Sequence, residues 1–341
     1  MNLSVMFLLM LLLPALSSPG ADAPSLYHLD SPILPVETGS VILHDAARSK
    51  DLSVAATFPR EGGPFPLIIF SHGAGGSGEG AEPLSSFWAS HGCVCLAPTH
   101  ADSVLARRRA GETFTLRDAV DVALNDETAW TNRPRDISFL LDSLDDLPKS
   151  LPKLAGKIDR TRIAVAGHSF GAYTSQVIAG ATVRLTGKAE PASFADSRVR
   201  AALLFSPQGI GQMGLTRESW KDIRIPLMSI TGSRDYGARG QSPEWRKTPF
   251  YESPPGDKYL LFIEGASHMT FTGRLASEDS SSLPALLRPA RVDTAAEAVF
   301  LDRVKSASLV FFDAYLKDSP AARRYLLSTA LNAPPASFFR R

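Results

Sequence analysis

The sequence predicts an α/β protein built on a doubly wound, mostly parallel β-sheet with helices on both faces. Six short segments are almost continuously apolar, which is typical of strands buried on both faces of a parallel sheet. They cover residues 66–71, 93–97, 162–166, 199–205, 225–230 and 259–263. Helix-like segments lie between many of these strands, and this alternation favours a single doubly wound sheet.

The remaining elements follow in chain order. Two β-prone runs at 40–44 and 52–58 precede the apolar segments and are separated by charged and small residues, as in an antiparallel hairpin. Helical segments are predicted at 84–90, 134–144 and 172–179. Residues 295–316 place apolar side chains at three- and four-residue spacing, which indicates an amphipathic helix packed on the sheet.

The N-terminus is typical of a targeting segment. Residues 5–16 are apolar, but this run is too short for a bilayer-spanning helix, which needs roughly 20 residues. Small residues and an Ala21-Asp22-Ala23 cleavage site follow, although the first four residues carry no Lys or Arg. We expect residues 1–23 to be a secretory signal peptide and the protein to be exported to the periplasm or the exterior. No cysteine lies just after the apolar run, so an obligate membrane anchor is not expected.

The rest of the chain, residues 24–341, is expected to form a single domain with two insertions. The stretches near 101–132 and 273–293 do not fit the alternation of strands and helices. Long insertions of this kind are often lids or pocket walls. Candidate wall residues are Phe114, Trp130 and residues 283–287. The sequence carries no signature of oligomeric state.

Charge and cysteine usage exclude several function classes. Because 36 Lys and Arg residues face 35 Asp and Glu residues, the net charge is +1. A nucleic-acid partner is not expected, since phosphate neutralisation needs a basic face. The two cysteines, Cys93 and Cys95, would point to the same face of one strand, where they bridge poorly. Neither H-E-x-x-H nor paired C-x-x-C occurs, and we predict no metal and no cofactor.

Gly167-His168-Ser169-Phe170-Gly171 is a G-x-S-x-G motif between an apolar strand and a helix-like segment. This is the context of a nucleophile elbow, a sharp turn that exposes a serine hydroxyl at the top of a sheet. Glycines at both ends let the backbone turn without a Cβ clash. The motif predicts Ser169 as a nucleophile, with Gly167 and Gly171 as the elbow glycines.

A serine nucleophile needs a base, and the base needs an orienting acid. Asp235 and His268 follow Ser169 in the order Ser, Asp, His, and each follows the end of a predicted strand. We therefore predict His268 as the general base and Asp235 as its acid. The rival Asp257 precedes a strand and so lies at the other end of the sheet. Residues 206–208, after the preceding strand, read Ser-Pro-Gln and offer no carboxylate.

Residues 71–76, Ser-His-Gly-Ala-Gly-Gly, follow the first buried strand, where an H-G-G-G-type loop would supply oxyanion donors. We predict the backbone N–H groups of Ala74 and Phe170 as these donors, with Gly73 as a loop glycine. His72 is expected to brace the loop rather than to act as a second base. The loop also satisfies G-x-G-x-x-G, the dinucleotide-binding fingerprint, but no acidic residue ends the next strand.

Four segments carry a family resemblance: 70–76 (Phe-Ser-His-Gly-Ala-Gly-Gly), 89–92, 164–174 and 311–316. They resemble the serine hydrolases of the α/β-hydrolase superfamily, and more closely the dienelactone-hydrolase-like proteins and platelet-activating factor acetylhydrolases. The resemblance covers about residues 50–320 and implies the α/β-hydrolase fold. It departs in two places. True dienelactone hydrolases have a cysteine where this chain has Ser169, and the animal acetylhydrolases carry their acid one strand earlier.

Together these residues predict a secreted or periplasmic serine carboxylic-ester hydrolase that forms an acyl-enzyme on a small-molecule or lipid-like ester. Two alternatives stay open at this point. One is a serine peptidase or amidase on the same fold, and the other is a non-catalytic binding protein that keeps the motif.

Overall fold

The computed structural model describes residues 26–29, 33–273 and 293–341. The expected signal peptide, residues 1–23, and nearly all of the second expected insertion, 273–293, lie outside the described residues. Across the described ranges, no helix combines the length and the apolar character needed to cross a membrane.

One nine-stranded sheet organises the described chain. Its strands are β1 (Val36–Asp45), β2 (Lys50–Pro59), β3 (Phe65–Ser71), β4 (Val94–Pro98), β5 (Ile158–His168), β6 (Val199–Phe205), β7 (Leu227–Arg234), β8 (Lys258–Ser267) and β9 (Ala336–Arg340). They lie in the order β1-β2-β4-β3-β5-β6-β7-β8-β9. Strands β3 to β8 pair in parallel, whereas β1 with β2, β2 with β4 and β8 with β9 are antiparallel. The predicted fold class is confirmed, and the six apolar segments form the parallel strands.

Helices cover both faces of this sheet. They are α1 (Glu82–Ser90), α2 (Val104–Arg109), α3 (Leu116–Asn125), α4 (Glu127–Asp142), α5 (Leu147–Ser150), α6 (Phe170–Ile178), α7 (Thr248–Glu252), α8 (Thr294–Tyr315) and α9 (Pro320–Leu327). Side chains of α1, α8 and α9 join one core, and those of α4 and α6 join the other. Two short 3₁₀ helices, Pro243–Lys247 and His268–Thr272, follow β7 and β8.

Alternate residues of β3 build the two cores. Phe70 packs in the same core as Trp88 of α1, and Ile69 packs in the same core as Leu140 of α4. This alternation follows from the two-residue period of a strand, and it explains why the central strands are apolar at every position. The two cysteines are free, buried and part of the first core, which agrees with the prediction that they share a face.

Several elements differ from the sequence prediction. Helix α4 begins at Glu127 rather than at Pro134, because Asp126 caps it by accepting a hydrogen bond from the N–H of Thr128 at 2.8 Å. The expected insertion at 101–132 contains α2, α3 and the start of α4. The sequence pattern did not predict β9, since its Ala-Ser-Phe-Phe-Arg sequence is too short to show an alternation.

Candidate active site

Ser169 lies in the sharp turn between β5 and α6. Its φ of 55° and ψ of −120° are rare for a residue with a side chain, and backbone strain of this kind is concentrated at functional sites. The Ser169 N–H donates to the carbonyl oxygen of Phe205 at 2.9 Å, which ties the turn to the end of β6. The serine therefore occupies a strained turn that the neighbouring strand supports.

The glycines that flank Ser169 allow a close approach of backbone segments. A Cβ on Gly167 would lie 2.3 Å from the carbonyl carbon of Gly171. A Cβ on Gly171 would lie 1.8 Å from the carbonyl oxygen of Ser71. The positive φ of the turn belongs to Ser169 and not to either glycine. The two glycines thus serve the packing of β3, β5 and α6.

His268 and Asp235 meet just beyond the carboxyl ends of β8 and β7. His268 Nδ1 lies 2.8 Å from Asp235 Oδ1, and because a carboxylate can only accept, Nδ1 carries the proton. Thr231 Oγ1 donates to the other carboxylate oxygen at 2.8 Å. Burial raises the pKa of Asp235, but the charges of Arg246 and His268 outweigh this effect and lower it to about 2. The carboxylate therefore stays ionised while it holds the imidazole.

Arg246 is a buried cation beside this pair, and sequence reasoning missed it. Its Nε lies 2.6 Å from Asp235 Oδ1, and its Nη2 lies 3.2 Å from His268 Nδ1. Burial lowers the pKa of His268, and the Arg246 charge lowers it further, against the raising effect of Asp235. Arg246 belongs to the 3₁₀ helix Pro243–Lys247, whose sequence carries no motif that points to the site.

A cavity of about 270 Å³ opens beside Ser169 and His268. Leu116 and Val120 of α3, together with Met269, contribute to its apolar lining. Among the described residues, none of the lining side chains is a carboxylate, a lysine or an arginine. The same part of the chain holds no group of three or more His, Cys, Asp and Glu residues that could bind a metal. The cavity is suited to an uncharged and mainly apolar group.

A second cavity, of about 40 Å³, adjoins the first. The two share Ala74, Val120, Ser169 and His268 as lining residues. The smaller cavity is more polar, with Gln208, Gln212 and Arg246 in its lining. Ser169 therefore lies where two compartments of different size and polarity meet.

The expected wall residues are only partly located at these cavities. Helix α3, within the expected insertion 101–132, lines the larger cavity. Phe114 and Trp130 line neither of the two. The Arg107 guanidinium lies 4.2 Å from the centre of the Phe114 ring, and Trp130 donates its indole N–H to the carbonyl oxygen of Ala123. Residues 283–287 lie outside the described residues.

Two backbone N–H groups at the cavities have no acceptor within the described part of the chain. Those of Ala74 and Phe170 donate no hydrogen bond to any described residue. Ala74 lines both cavities, and Phe170 is the first residue of α6 and lines the smaller one. Unpaired N–H groups of this kind, one of them at a helix N-terminus, attract negative charge. Gly73, beside them, is close-packed, since a Cβ there would lie 3.2 Å from His168 Nδ1.

Arg133 of α4 holds this loop from behind. Its Nη1 donates to the carbonyl oxygen of His72 at 2.6 Å and its Nη2 to that of Gly73 at 3.3 Å. Arg133 also pairs with Asp102 at 2.8 Å, and Asp102 accepts from the N–H of Gly75 at 3.1 Å. The C=O and N–H of a trans peptide point in opposite directions. Because the carbonyls of His72 and Gly73 point toward Arg133, the N–H groups of Gly73 and Ala74 point away from it.

Ser71, His100 and Asp136 form a Ser-His-Asp hydrogen-bond chain beneath the loop. Ser71 Oγ is 2.9 Å from His100 Nε2, and His100 Nδ1 is 2.8 Å from Asp136 Oδ2. All three residues are at most 1% exposed, and none lines either cavity beside Ser169. Burial and the Arg133 charge lower the pKa of His100 to about 4. This hydrogen-bond chain therefore fixes the end of β3 and does not reach the two cavities beside Ser169.

The two other histidines near Ser169 brace the backbone. His168 Nε2 donates to the carbonyl oxygen of His268 at 2.9 Å, and burial and the nearby His268 lower the pKa of His168 to about 3. His72 Nδ1 donates to the carbonyl oxygen of Gly73 at 2.7 Å, and its Nε2 accepts from the N–H of His100 at 3.0 Å. Both rings are therefore neutral supports of the loops that carry the site.

Comparison with known proteins identifies the family. A profile of the alpha/beta hydrolase family matches residues 68–338, which is most of the chain. The chain belongs to the alpha/beta hydrolase family. This α/β hydrolase is 28% identical over 213 residues to cutinase est2 of Thermobifida alba, which covers 62% of this chain and 55% of that protein. It is 25% identical over 287 residues to the platelet-activating factor acetylhydrolase of Cavia porcellus, which covers 75% of this chain and 59% of that protein.

The matched part of the α/β hydrolase thus spans somewhat more than half the length of these relatives. The solved structure of a ferulic acid esterase from Streptomyces cinnamoneus covers 95% of this chain and 98% of its own, with a TM-score of 0.60 and 18% identity. At this identity the likeness supports the fold alone. The family resemblance stated from the sequence is confirmed.

Proposed function

We propose that this α/β hydrolase is a serine carboxylic-ester hydrolase that works through an acyl-enzyme. The observation that carries the proposal is the 2.8 Å hydrogen bond between His268 and Asp235 at a cavity that Ser169 also lines. An imidazole oriented by an ionised carboxylate beside a serine on a strained turn is suited to nucleophilic attack on a carbonyl.

In the proposed reaction, Ser169 Oγ attacks the ester carbonyl carbon while His268 Nε2 takes the hydroxyl proton. The N–H groups of Ala74 and Phe170 stabilise the negative charge that develops on the carbonyl oxygen. The intermediate then expels the alcohol, which takes its proton from His268, and water releases the acid in the same way. Ser169 Oγ makes no hydrogen bond within the described chain, and catalytic hydrogen bonds often tighten only when substrate is bound.

The substrate that fits this site is an uncharged small-molecule or lipid-like ester. Its larger, apolar part would occupy the 270 Å³ cavity and its smaller part the 40 Å³ cavity. The names of the relatives, a cutinase, a platelet-activating factor acetylhydrolase and a ferulic acid esterase, support an ester as the class of substrate. The proposed reaction uses no cofactor.

Export through a signal peptide at residues 1–23 is part of the proposal and rests on the N-terminal sequence. The mature single domain would then begin at residue 24. Sequencing of the N-terminus of the exported protein would check this, and a protein that stays inside the cell with residue 1 intact would contradict it.

The test of the catalytic role is the Ser169→Ala variant with p-nitrophenyl acetate or butyrate as substrate. Turnover should fall on the order of 10⁶-fold if the three residues act as a unit. Ser86→Ala, which changes a serine on α1 away from both cavities, is the matched control and should keep wild-type turnover. A fluorophosphonate probe should label Ser169, and labelling should require His268.

A Ser169→Ala variant with wild-type turnover would contradict the assignment. Matched ester and anilide substrates separate an esterase from a peptidase or amidase. Failure of every activated ester and of the fluorophosphonate to react would instead indicate a non-catalytic binding protein.

A further inference from the structure

Arg246 has an unusual position for a cation, because it is buried next to the proposed base and its acid. It is 2% exposed. Its guanidinium touches the same carboxylate oxygen of Asp235 that holds His268, and its Nη2 lies 3.2 Å from His268 Nδ1. Both of these nitrogens carry hydrogen, so they cannot form a hydrogen bond with each other. The contact becomes a repulsion between two positive charges once the imidazole is protonated.

The guanidinium is also held in place by backbone oxygens. Nη1 donates to the carbonyl oxygens of Ser206 and Pro207, at 2.7 and 3.1 Å. Nε donates to that of Asp235 at 2.9 Å, and Nη2 donates to that of Tyr236 at 2.9 Å. Arg246 therefore ties the turn after β6 to the turn after β7. With this many contacts the charge cannot swing away from the proposed site.

The charges that face His268 can be named element by element. After β7, Asp235 brings one negative charge, and the 3₁₀ helix Pro243–Lys247 brings the positive charge of Arg246. At the end of β5, His168 packs its ring 4.7 Å from that of His268 and is neutral. From α8, Glu297 accepts a hydrogen bond from Thr270, two residues beyond His268.

The resting site thus holds a neutral Asp235–Arg246 pair, and protonation of His268 would place a second positive charge against the guanidinium. In a triad without such a cation, protonation of the histidine would instead balance the negative charge of the carboxylate beside it. The positive charge of Arg246 therefore opposes protonation of His268, and a neutral side chain of similar shape would not.

We propose that Arg246 is a positioning residue that fixes Asp235 and keeps His268 unprotonated in mildly acidic solution, so that it sets the lower pH limit of the activity. This inference rests on the proposed esterase function. It goes beyond that function because it assigns a task to a residue outside the serine, histidine and aspartate. The expected consequence is an enzyme that stays active below the pH at which an ordinary imidazole becomes protonated, about 6.5.

The test is the pH dependence of kcat/KM between pH 4.5 and 9, with p-nitrophenyl butyrate and chromatographic detection of the released acid. In Arg246→Gln the acid limb of the profile should move up by about one pH unit or more, because the opposing charge is gone. Activity at pH 6 should then fall more than activity at pH 8. Arg246→Lys, which keeps the charge, should have a limb close to that of the wild type.

Arg303→Gln is the matched control, since Arg303 is a buried arginine of α8 that donates to the carbonyl oxygen of Pro334, away from the site. It should leave the acid limb unchanged even if it lowers the melting temperature. An Arg246→Gln limb that coincides with the wild-type limb would overturn the proposal. If Ser169→Ala is inactive in the same assay, coinciding limbs would contradict only the proposed role of Arg246 and would leave the proposed esterase function standing.

A measurement on the wild-type protein covers the case in which Arg246→Gln does not fold. The imidazole carbon resonance of His268, assigned by its loss in His268→Gln, should titrate with a midpoint below 6.5. A midpoint at or above 6.5 would overturn the proposal without any change at Arg246.

Discussion

Replacing Arg133 by methionine, alone and together with a change at Asp102, should separate two effects of this residue, its contribution to stability and its orientation of the loop that carries the proposed oxyanion donor Ala74. Arg133 donates to the carbonyl oxygens of His72 and Gly73, and its guanidinium lies 4.1 Å from the centre of the Phe170 ring. It thus contacts both sides of the proposed oxyanion site, the loop through its backbone carbonyls and Phe170 through its ring. Methionine keeps the length and the apolar contact with Phe170 but removes the charge and every donor.

Two effects of Arg133→Met can be estimated. Asp102 is 5% exposed and would lose its ionic partner, and breaking a buried pair in this way costs about 3–5 kcal/mol of unfolding free energy. The carbonyl oxygen of His72 would lose its Arg133 donor, and that of Gly73 would keep only its donors from His72 and Gly76, so the N–H of Ala74 would be held less firmly in one direction. Loss of one oxyanion donor typically lowers kcat by about 10²- to 10³-fold.

The double variant Arg133→Met with Asp102→Asn distinguishes the two effects. It removes the unpaired charge and keeps an oxygen that can accept from the N–H of Gly75, so most of the lost stability should return. The value of kcat should stay low, because the Arg133 donors to the loop carbonyls are still missing. Urea unfolding and the steady-state kinetics of a p-nitrophenyl ester measure the two quantities. A double variant with wild-type kcat would refute the view that Arg133 orients the loop.

Two further predictions concern the stability of the fold. Gly171→Ala should prevent folding or destabilise the protein severely, because its Cβ would meet the carbonyl oxygen of Ser71 at 1.8 Å. Gly80→Ala should melt like the wild type in a thermal scan, because its Cβ would meet Ser77 Oγ at an ordinary contact distance of 3.9 Å. Acid should also destabilise the protein, since the pKa values of His100 and His168 are lowered to about 4 and about 3 by burial. Below about pH 6.5 the unfolded chain binds protons that the folded protein does not, so each histidine should cost about 1.4 kcal/mol per pH unit between about 6.5 and its own lowered pKa. Equal unfolding free energies at pH 7 and pH 5 in urea would contradict this.

The sequence predicted those parts of the molecule that depend on short apolar patterns and on the order of the strands in the chain. Apolar runs marked the parallel strands, and positions just after strand ends placed Asp235 and His268 at one edge of the sheet. Their 2.8 Å contact follows from that topology, because the carboxyl ends of parallel strands share an edge. These features need only the period of the chain and the direction of the strands.

The charged supports of the site could not be predicted in the same way. Arg133 contacts Asp102 and His72 across 31 and 61 residues of sequence, and Arg246 reaches Ser206 across 40. A single arginine in a sequence is indistinguishable from a solvated surface residue until the fold brings its partners together. The helices α2 and α3 were missed for a related reason, since both bury few side chains against a core and α3 instead lines the cavities beside Ser169.

The last strand of the sheet has a consequence for handling the protein. β9 pairs antiparallel with β8, from Ala336 opposite Ile263 to Arg340 opposite Tyr259, and β8 leads directly into His268. Removal of β9 would turn β8 into an unpaired edge strand, which invites association with other chains. Fusion tags at this terminus, or deletions of a few residues there, would therefore act on the segment that carries the proposed base, although they are far from it in sequence.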